Sequence, residues 1–181
     1  MVVLLVLAIA LAFLAAKLAF QSNTVVMKTP GMPNDAVIEK SSMDKGSQMA
    51  TLYAVTNNLC QINPANIDYL LEFLQNFLSP KVYTRISAEM REKAATLKAQ
   101  RELGSYYCVL RGYDYDADID RHFIKADLHT VNAAKDSSAP YVFEYATHIE
   151  NYRLWVDDIK SYEGDKEHNA EWLKNERKNK R

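Results

Sequence analysis

Hydrophobic positions are continuous at the start of the chain and periodic after it. From Val2 to Phe20 only Lys17 is charged, and a helix of this length spans about 28 Å, close to the hydrocarbon thickness of a bilayer. Lys17 lies within one turn of the end, where its long stem can carry the ammonium group to the headgroups. Residues 1–20 therefore predict a single transmembrane anchor. The anchor residues are Val2, Leu5, Ile9, Phe13 and Phe20.

A cleaved signal peptide is the main alternative for this run. Such a peptide needs a basic segment before a shorter apolar core and small residues at the cleavage site. No basic residue precedes Val2, and the candidate cleavage positions Ala16 and Ala19 have a poor match at the −3 position. A buried core helix is a weaker alternative, because the remaining chain is too short to cover a helix that is apolar all round. The anchor is favoured over both.

Three amphipathic helices are predicted after a linker over residues 21–42, in which Pro30, Gly31 and Pro33 interrupt regular structure. The first helix covers 43–59. The second begins at Asn63-Pro64 and carries an apolar stripe as far as Leu78, and the third runs from Pro80 to Leu103. The first helix has its apolar face at Met49, Leu52, Tyr53, Thr56 and Leu59, and the stripe of the second is Ile67, Leu70, Leu71, Leu74, Phe77 and Leu78.

The apolar period changes from 3.6 to 2 after Gly104, which predicts strands at 105–113, 121–132, 141–149 and 152–161. The intervening turns are predicted at 114–120, 134–140 and 150–151. One face of the second strand is more polar than the other, as in an antiparallel sheet with one face packed on helices. The sequence thus predicts an α+β domain over 43–165, and a basic tail over 166–181 that is a short helix or a frayed, solvated end.

Composition excludes several function classes. The formal net charge is −1, so no global basic field attracts nucleic acid, and the 5 glycines form no nucleotide-binding motif. Two cysteines, Cys60 and Cys108, match no zinc spacing. Two buried free thiols are therefore expected, and a single disulfide is the alternative in an oxidising compartment.

No metal-binding or catalytic motif in the sequence is complete. Asp114, Asp116 and Asp118 match the first three ligand positions of a calcium loop, but Ile119 replaces the required glycine and Lys125 the bidentate glutamate. A solvated hairpin tip is predicted there instead. Of the four histidines, His122 and His129 share a predicted strand but are seven residues apart and so point to opposite faces, and no hydrolase or protease motif occurs. We therefore expect no catalytic, cofactor-binding or metal site.

The order of the predicted elements and the residue patterns within them resemble the TraE family of conjugative type IV secretion proteins. This family is related to the VirB-eight-like group. The family pattern has a glycine between the last two strands, where this chain has Glu150-Asn151. The segments that carry the resemblance are Leu52 to Val55, Asn63 to Leu78, Ser79 to Tyr83, Ala94 to Lys98, Tyr106-Tyr107, Tyr141 to Tyr145 and Tyr152 to Trp155.

The resemblance implies a periplasmic domain of the nuclear-transport-factor-two-like fold, anchored by a single pass in the bacterial inner membrane. Its implied role is a non-enzymatic scaffold for assembly of the pilus and the mating-pair DNA-transfer channel. The implied partners are other secretion subunits, further copies of the chain in a homo-oligomer or ring, and the membrane, without direct contact to DNA. Arg91, Tyr106 and Tyr107 are the candidate partner surface.

A second hypothesis comes from the same cone-shaped fold, which also hosts small-molecule-binding proteins and isomerase-like enzymes. These enzymes use a carboxylate base inside the cone with an acidic or phenolic partner for the oxyanion. Asp127 and Tyr145 could take those two roles in this chain. A buried carboxylate with a strongly raised pKa in an apolar pocket would distinguish this hypothesis from a scaffold.

Overall fold

The computed structural model describes residues 2–19, 25–27, 36–99, 103–132 and 135–179. Within these residues, the three helices of the domain are followed in sequence by a four-stranded antiparallel sheet. This arrangement confirms the predicted α+β class. The helices are α1 (Val2–Ala19), α2 (Lys45–Cys60), α3 (Ile67–Leu74), α4 (Pro80–Ala99) and α5 (Ala170–Asn179). The strands are β1 (Val25–Met27), β2 (Ala36–Ile38), β3 (Leu103–Asp116), β4 (Arg121–Asn132), β5 (Asp136–Glu150) and β6 (Arg153–Glu163).

The apolar run at the start of the chain forms α1. Its described side chains are exposed, and Ile9 and Phe13 are examples. No helix in the described part of the chain has both the length and the apolar character needed to cross a membrane. The membrane span therefore stays a prediction. Of the other predicted anchor residues, Phe20 lies outside the described residues, as do the side chains of Val2 and Leu5.

Two short strands interrupt the predicted linker. β1 and β2 pair antiparallel, with Val25 opposite Ile38, so the prediction that residues 21–42 lack regular structure is wrong at these positions. Asp44 joins this pair to α2. One carboxylate oxygen accepts the N–H of Ser47 at 3.0 Å and caps the helix, and the other accepts the N–H of Val37 at 2.9 Å.

The four long strands form a meander in the order β3-β4-β5-β6. Helices α2, α3 and α4 cover one side of this sheet, here called the inner face, and the opposite side is the outer face. Cross-strand partners share a face, so Cys108 and Leu128 both point inward, as do Tyr145 and Ile159. Inward residues from all four strands and the stripes of the three helices make the main core.

The residues of the predicted helical stripes are buried or half-buried, but the helix boundaries differ from those predicted. Leu70, Leu71 and Leu74 of α3 are at most 3% exposed. The second helix begins at Ile67 instead of Pro64, because Asn63 accepts the N–H groups of Ala65 and Asn66 and so holds a turn. It also ends at Leu74, before the predicted Leu78.

The sheet is longer than the sequence pattern predicts. α4 ends at Ala99, and Leu103 and Gly104, predicted as the end of that helix, belong to β3. β5 begins at Asp136, inside the predicted turn over 134–140, because Asp136 and Ser138 pair with residues of β4. Ladder hydrogen bonds to a neighbouring strand outweigh the low strand propensity of Asp, Ser and Pro here.

The prediction of two free thiols is wrong. Cys60, at the end of α2, forms a disulfide with Cys108 of β3, with their Cα atoms 5.5 Å apart. The inward side of β3 passes directly beneath the end of α2, and both cysteines are buried. The bond therefore fixes the first helix of the domain to the edge strand of the sheet.

The basic tail contains a helix, which agrees with one of the two predicted alternatives. α5 begins after Asn169, whose side-chain oxygen accepts the N–H of Trp172 at 2.9 Å. Residues 164–179, here called the C-terminal segment, fold back along the outer face of the sheet. Its path is set by contacts to β3, β4 and β6.

Candidate interaction surfaces

The residues of the predicted partner surface lie on different parts of the domain. Arg91 projects from α4 with 56% of its side chain exposed, and its Nη1 lies 2.9 Å from Oδ1 of Asp68 near the start of α3. An exposed pair of this kind contributes at most about 1 kcal/mol to stability. The guanidinium group is therefore tied to a neighbouring helix while it stays open to solvent.

Tyr106 and Tyr107 face opposite sides of the sheet. Tyr106 points inward, and its N–H donates to the carbonyl oxygen of Ile62 at 3.1 Å. Its ring closes a cleft of about 310 Å³ beside α4, where Glu92 and Lys93 are among the lining residues. Tyr107 points outward, since successive residues of a strand alternate. The two tyrosines therefore cannot contribute to a single flat contact surface.

Tyr107 belongs to a polar group at the outer face. Its ring stacks on His129 with the centroids 4.4 Å apart, and its hydroxyl donates to Asp136 at 2.8 Å. Asp136 also bonds to Nδ1 of His129 at 2.9 Å. Hydrogen bonds from His129 and Tyr107 lower the pKa of Asp136, and the bond to Asp136 raises the pKa of Tyr107. These three residues link β3, β4 and β5.

Charged pairs attach the C-terminal segment to the outer face. Arg111 of β3 contacts both Asp127 of β4 (Nε to Oδ1, 3.1 Å) and Asp165 of the segment. Nζ of Lys125 lies 2.9 Å from Oε1 of Glu167, whose side chain is only 10% exposed. These contacts join residues that are distant in the sequence, so the segment is placed by tertiary pairing.

Aromatic rings make the second set of contacts under the segment. The ring of His168 lies between those of Tyr162 and Trp172, with centroid distances of 3.9 and 3.7 Å. The N–H of His168 donates to the hydroxyl of Tyr162 at 2.9 Å. Burial raises the pKa of Tyr162 to about 12, so the hydroxyl is protonated at neutral pH.

A cavity of about 310 Å³ remains between α5 and the outer face. Glu144 reaches it from β5 and is 8% exposed. One carboxylate oxygen of Glu144 lies 3.5 Å from Arg121 and 3.6 Å from Lys160. The buried negative charge therefore has two cationic neighbours, which offset its desolvation. The sequence pattern does not identify Glu144 as a buried charge. A glutamate on a strand has the same pattern whether it is exposed to solvent or covered by a distant part of the chain.

Two polar clusters are buried within the domain. The hydroxyls of Tyr145 and Thr56 lie 2.6 Å apart, and burial raises the pKa of Tyr145. His122 has its Nδ1 2.8 Å from the hydroxyl of Tyr113 and its Nε2 3.1 Å from that of Thr147. Burial lowers the pKa of His122 to about 4, so the ring is neutral at physiological pH.

The residues of the enzyme hypothesis do not meet. Asp127 points to the outer face and pairs with Arg111, whereas Tyr145 is fully buried on the inner face. The sheet itself separates the two side chains. Asp127 and Tyr145 therefore cannot act together on one substrate in this arrangement.

The acidic turn between β3 and β4 makes hydrogen bonds that stabilise the fold. Oδ1 of Asp116 accepts the N–H of Asp118 at 2.9 Å, and its Oδ2 accepts the N–H of Ala170 at 2.8 Å. In the ranges that the structure describes, no group of His, Cys, Asp or Glu side chains is arranged to hold a metal ion. Asp116 thus fixes the first residue of α5 to the turn between β3 and β4.

Comparison with known proteins gives the family. A protein-family model described as "TraE protein" matches residues 1–161. The chain belongs to the TraE family. The solved structure of the VirB8 protein of Agrobacterium tumefaciens is similar to this TraE chain with a TM-score of 0.53 at 10% sequence identity. The match covers 66% of this chain and 92% of VirB8, and at this identity it shows the fold alone.

A search of curated protein sequences finds no match for this TraE chain. The family places the chain among components of conjugative type IV secretion, which are generally structural proteins. The family match ends at residue 161, so the C-terminal segment lies beyond the residues that the family model covers.

Proposed function

We propose that this TraE chain is a non-enzymatic scaffold in the inner membrane, required to assemble the pilus and the mating-pair channel of a conjugative type IV secretion system. The observation that carries the proposal is the family match over residues 1–161. The domain also offers charged and aromatic side chains on both of its sides, such as Arg91 and Tyr107, which supports a role in binding other subunits. A scaffold of this kind needs no catalytic residue, cofactor or metal.

In this proposal α1 anchors the chain by a single pass, and the domain after it lies in the periplasm. The apolar run from Val2 to Phe20 and the exposed side chains of Ile9 and Phe13 support the anchor, since exposed apolar side chains need a lipid or protein environment. The full chain is expected to fractionate with inner membranes and to resist carbonate extraction. A mature protein that lacks residues 1–20 would instead indicate a cleaved signal peptide.

The disulfide between Cys60 and Cys108 supports a periplasmic domain. Disulfides form and persist in oxidising compartments such as the bacterial periplasm and are rare in the cytosol. Thiol alkylation of the protein in intact cells should therefore find both cysteines blocked before reduction and free after it. Labelling of both thiols without reduction would argue against a periplasmic domain.

The partners in this proposal are other secretion subunits and further copies of the chain, arranged as a homo-oligomer or ring. Many weak contacts repeated around a ring produce avidity that no single contact supplies. Arg91 and Tyr106 are candidates for contacts on the helical side, and Tyr107 is a candidate on the outer face. Because the three residues lie on two sides of the domain, they would serve two different neighbours.

Conjugative transfer tests the function. Deletion of the gene should abolish transfer, and the chain supplied in trans should restore it. Arg91→Glu should then reduce transfer at normal protein level, while the matched control Lys81→Glu, on the same helix, should not. Loss of transfer in Asp127→Asn, with the protein folded and still in its complex, would favour an enzyme. An unchanged transfer frequency in the deletion strain would reject the scaffold role.

A further inference from the structure

The outer face of the sheet needs a cover. Phe123 and Val142 point outward and are fully buried, although α2, α3 and α4 lie on the other side of the sheet. The C-terminal segment supplies contacts over this face through Glu167, His168 and Trp172. The segment therefore lies over the side of the sheet on which these two buried apolar side chains point outward.

The cover itself is held weakly. No residue of α5 is buried, and the pair of Arg111 with Asp165 is open to solvent. Exposed ion pairs contribute little to stability, so much of the attachment rests on the pair of Lys125 with Glu167, on the stack around His168 and on the hydrogen bond from the N–H of Ala170 to Asp116. The segment can therefore leave the outer face at a modest cost if an equivalent cover takes its place.

A glycine joins the segment to the sheet. Gly164 follows the last residue of β6 and has φ of +125°, a conformation that side chains rarely allow. Its N–H donates to the carbonyl oxygen of Pro140 at 2.8 Å while the segment lies on its own sheet. A glycine at this point allows residues 165–179 to take another direction without steric conflict.

We propose that copies of this chain exchange their C-terminal segments, so that residues 164–179 of one copy cover the outer face of a second copy. This inference rests on the self-association proposed above. The occupant is a second copy because its segment carries the charges that match Lys125 and Arg111. Exchange of an identical element replaces every contact with its equivalent and needs no new surface.

Membrane attachment favours the exchange. Chains anchored side by side in one membrane have high effective concentrations, which reduces the entropic cost of joining two copies. Each copy has one C-terminal segment and one outer face, and the outer face can bind the segment of another copy. Such a head-to-tail contact closes into a ring if the rotation between neighbours closes, and a reciprocal exchange gives a dimer.

Charge reversal at one contact distinguishes exchange from closure within one chain. The first version of the full chain carries Lys125→Glu, and the second carries Glu167→Lys. Expressed alone, each version puts like charges opposite each other at this contact. Co-purification of two differently tagged forms of the same version should therefore fall about tenfold.

Joint expression of the two versions should restore the contact. The segment of the second version then places its introduced lysine opposite the introduced glutamate of the first version. In the other direction, the unchanged Glu167 of the first version meets the unchanged Lys125 of the second. Both contacts are complementary, so co-purification of the two versions should return to the wild-type level.

Two controls complete the test. A chain with both reversals should behave like the wild type, which shows that the reversed pair supports folding. Lys81→Glu, far from the outer face, should leave co-purification unchanged. If either single variant is degraded when expressed alone, joint expression should restore its level only when segments are exchanged.

Failure of the mixed pair to recover, or single variants that co-purify like the wild type, would overturn the exchange. That outcome leaves the secretion role intact, provided that the gene deletion still abolishes transfer. Conversely, recovery of the mixed pair together with normal transfer in the deletion strain would uphold the exchange and reject the proposed function.

Discussion

Cys60 and Cys108 join the last turn of α2 to the edge strand β3, across a sequence separation of 48 residues. Both cysteines are buried within the main core. The bond closes a loop that contains α3 and α4, so it restricts the unfolded chain across two of the three helices that cover the inner face. Its contribution to stability is therefore expected to come chiefly from the entropy of the unfolded state.

The first prediction concerns this bond. Cys60→Ala combined with Cys108→Ala should lower the free energy of unfolding by up to about 4 kcal/mol, since a closed loop of this length removes that much chain entropy. Chemical denaturation of the purified protein measures the change. A reductant should destabilise the wild type by a similar amount and leave the double variant unaffected. Equal midpoints for oxidised and reduced wild type would contradict the prediction.

The second prediction concerns the stripe of α3. Leu74 is fully buried between the helices and the sheet, so Leu74→Ala should lower the free energy of unfolding by about 2–5 kcal/mol. Tyr69 lies on the same helix with 70% exposure, and Tyr69→Ala should cost less than about 0.5 kcal/mol. A similar cost for the two variants would show that the stripe is not the contact with the core.

The sequence predicts the helical layer well because its signals are local. The buried stripe around Leu70 and Leu74 follows helical spacing, and Pro80 marks the start of the next helix. The opposite directions of Tyr106 and Tyr107 also follow from strand alternation, so the sequence already argued against placing them on one surface.

Other features depend on tertiary pairing and could not be predicted locally. The disulfide requires the register that puts Cys108 beneath the end of α2, and no spacing rule fixes that register. The path of the C-terminal segment depends on single ion pairs such as Lys125 with Glu167. A basic, polar helix has the same sequence pattern whether it lies on a sheet or extends into solvent.

The third prediction concerns pH. His122 has a pKa of about 4 in the folded protein, compared with 6.5 for an ordinary histidine, because burial disfavours the charged ring. Below pH 6.5 the unfolded chain binds the proton more readily than the folded one does. Stability from this residue is thus complete above about pH 6.5 and is lost as the pH falls to about 4, by at most about 3 kcal/mol.

Denaturation midpoints of the wild type and His122→Asn between about pH 7.5 and 5 measure this effect, because that range spans the titration of an unfolded histidine. The wild type should lose stability as the pH falls across this range. The variant should be less stable than the wild type at pH 7.5, and its stability should change less with pH. Parallel curves for the wild type and His122→Asn would mean that His122 does not titrate in this range.

The last prediction concerns the turn between β5 and β6. Asn151 and Tyr152 both have positive φ, 51° and 65°, as in the tight turns that match the twist of a hairpin. Asparagine tolerates this conformation, but for a bulky residue it costs roughly 1 kcal/mol. Tyr152→Gly should therefore raise the free energy of unfolding by about 0.5 kcal/mol, after the greater flexibility of glycine in the unfolded chain is subtracted. Tyr152→Ala keeps the Cβ atom and the strain, so it should give no gain. Equal stabilisation by both substitutions would locate the cause in the tyrosine ring instead of the backbone.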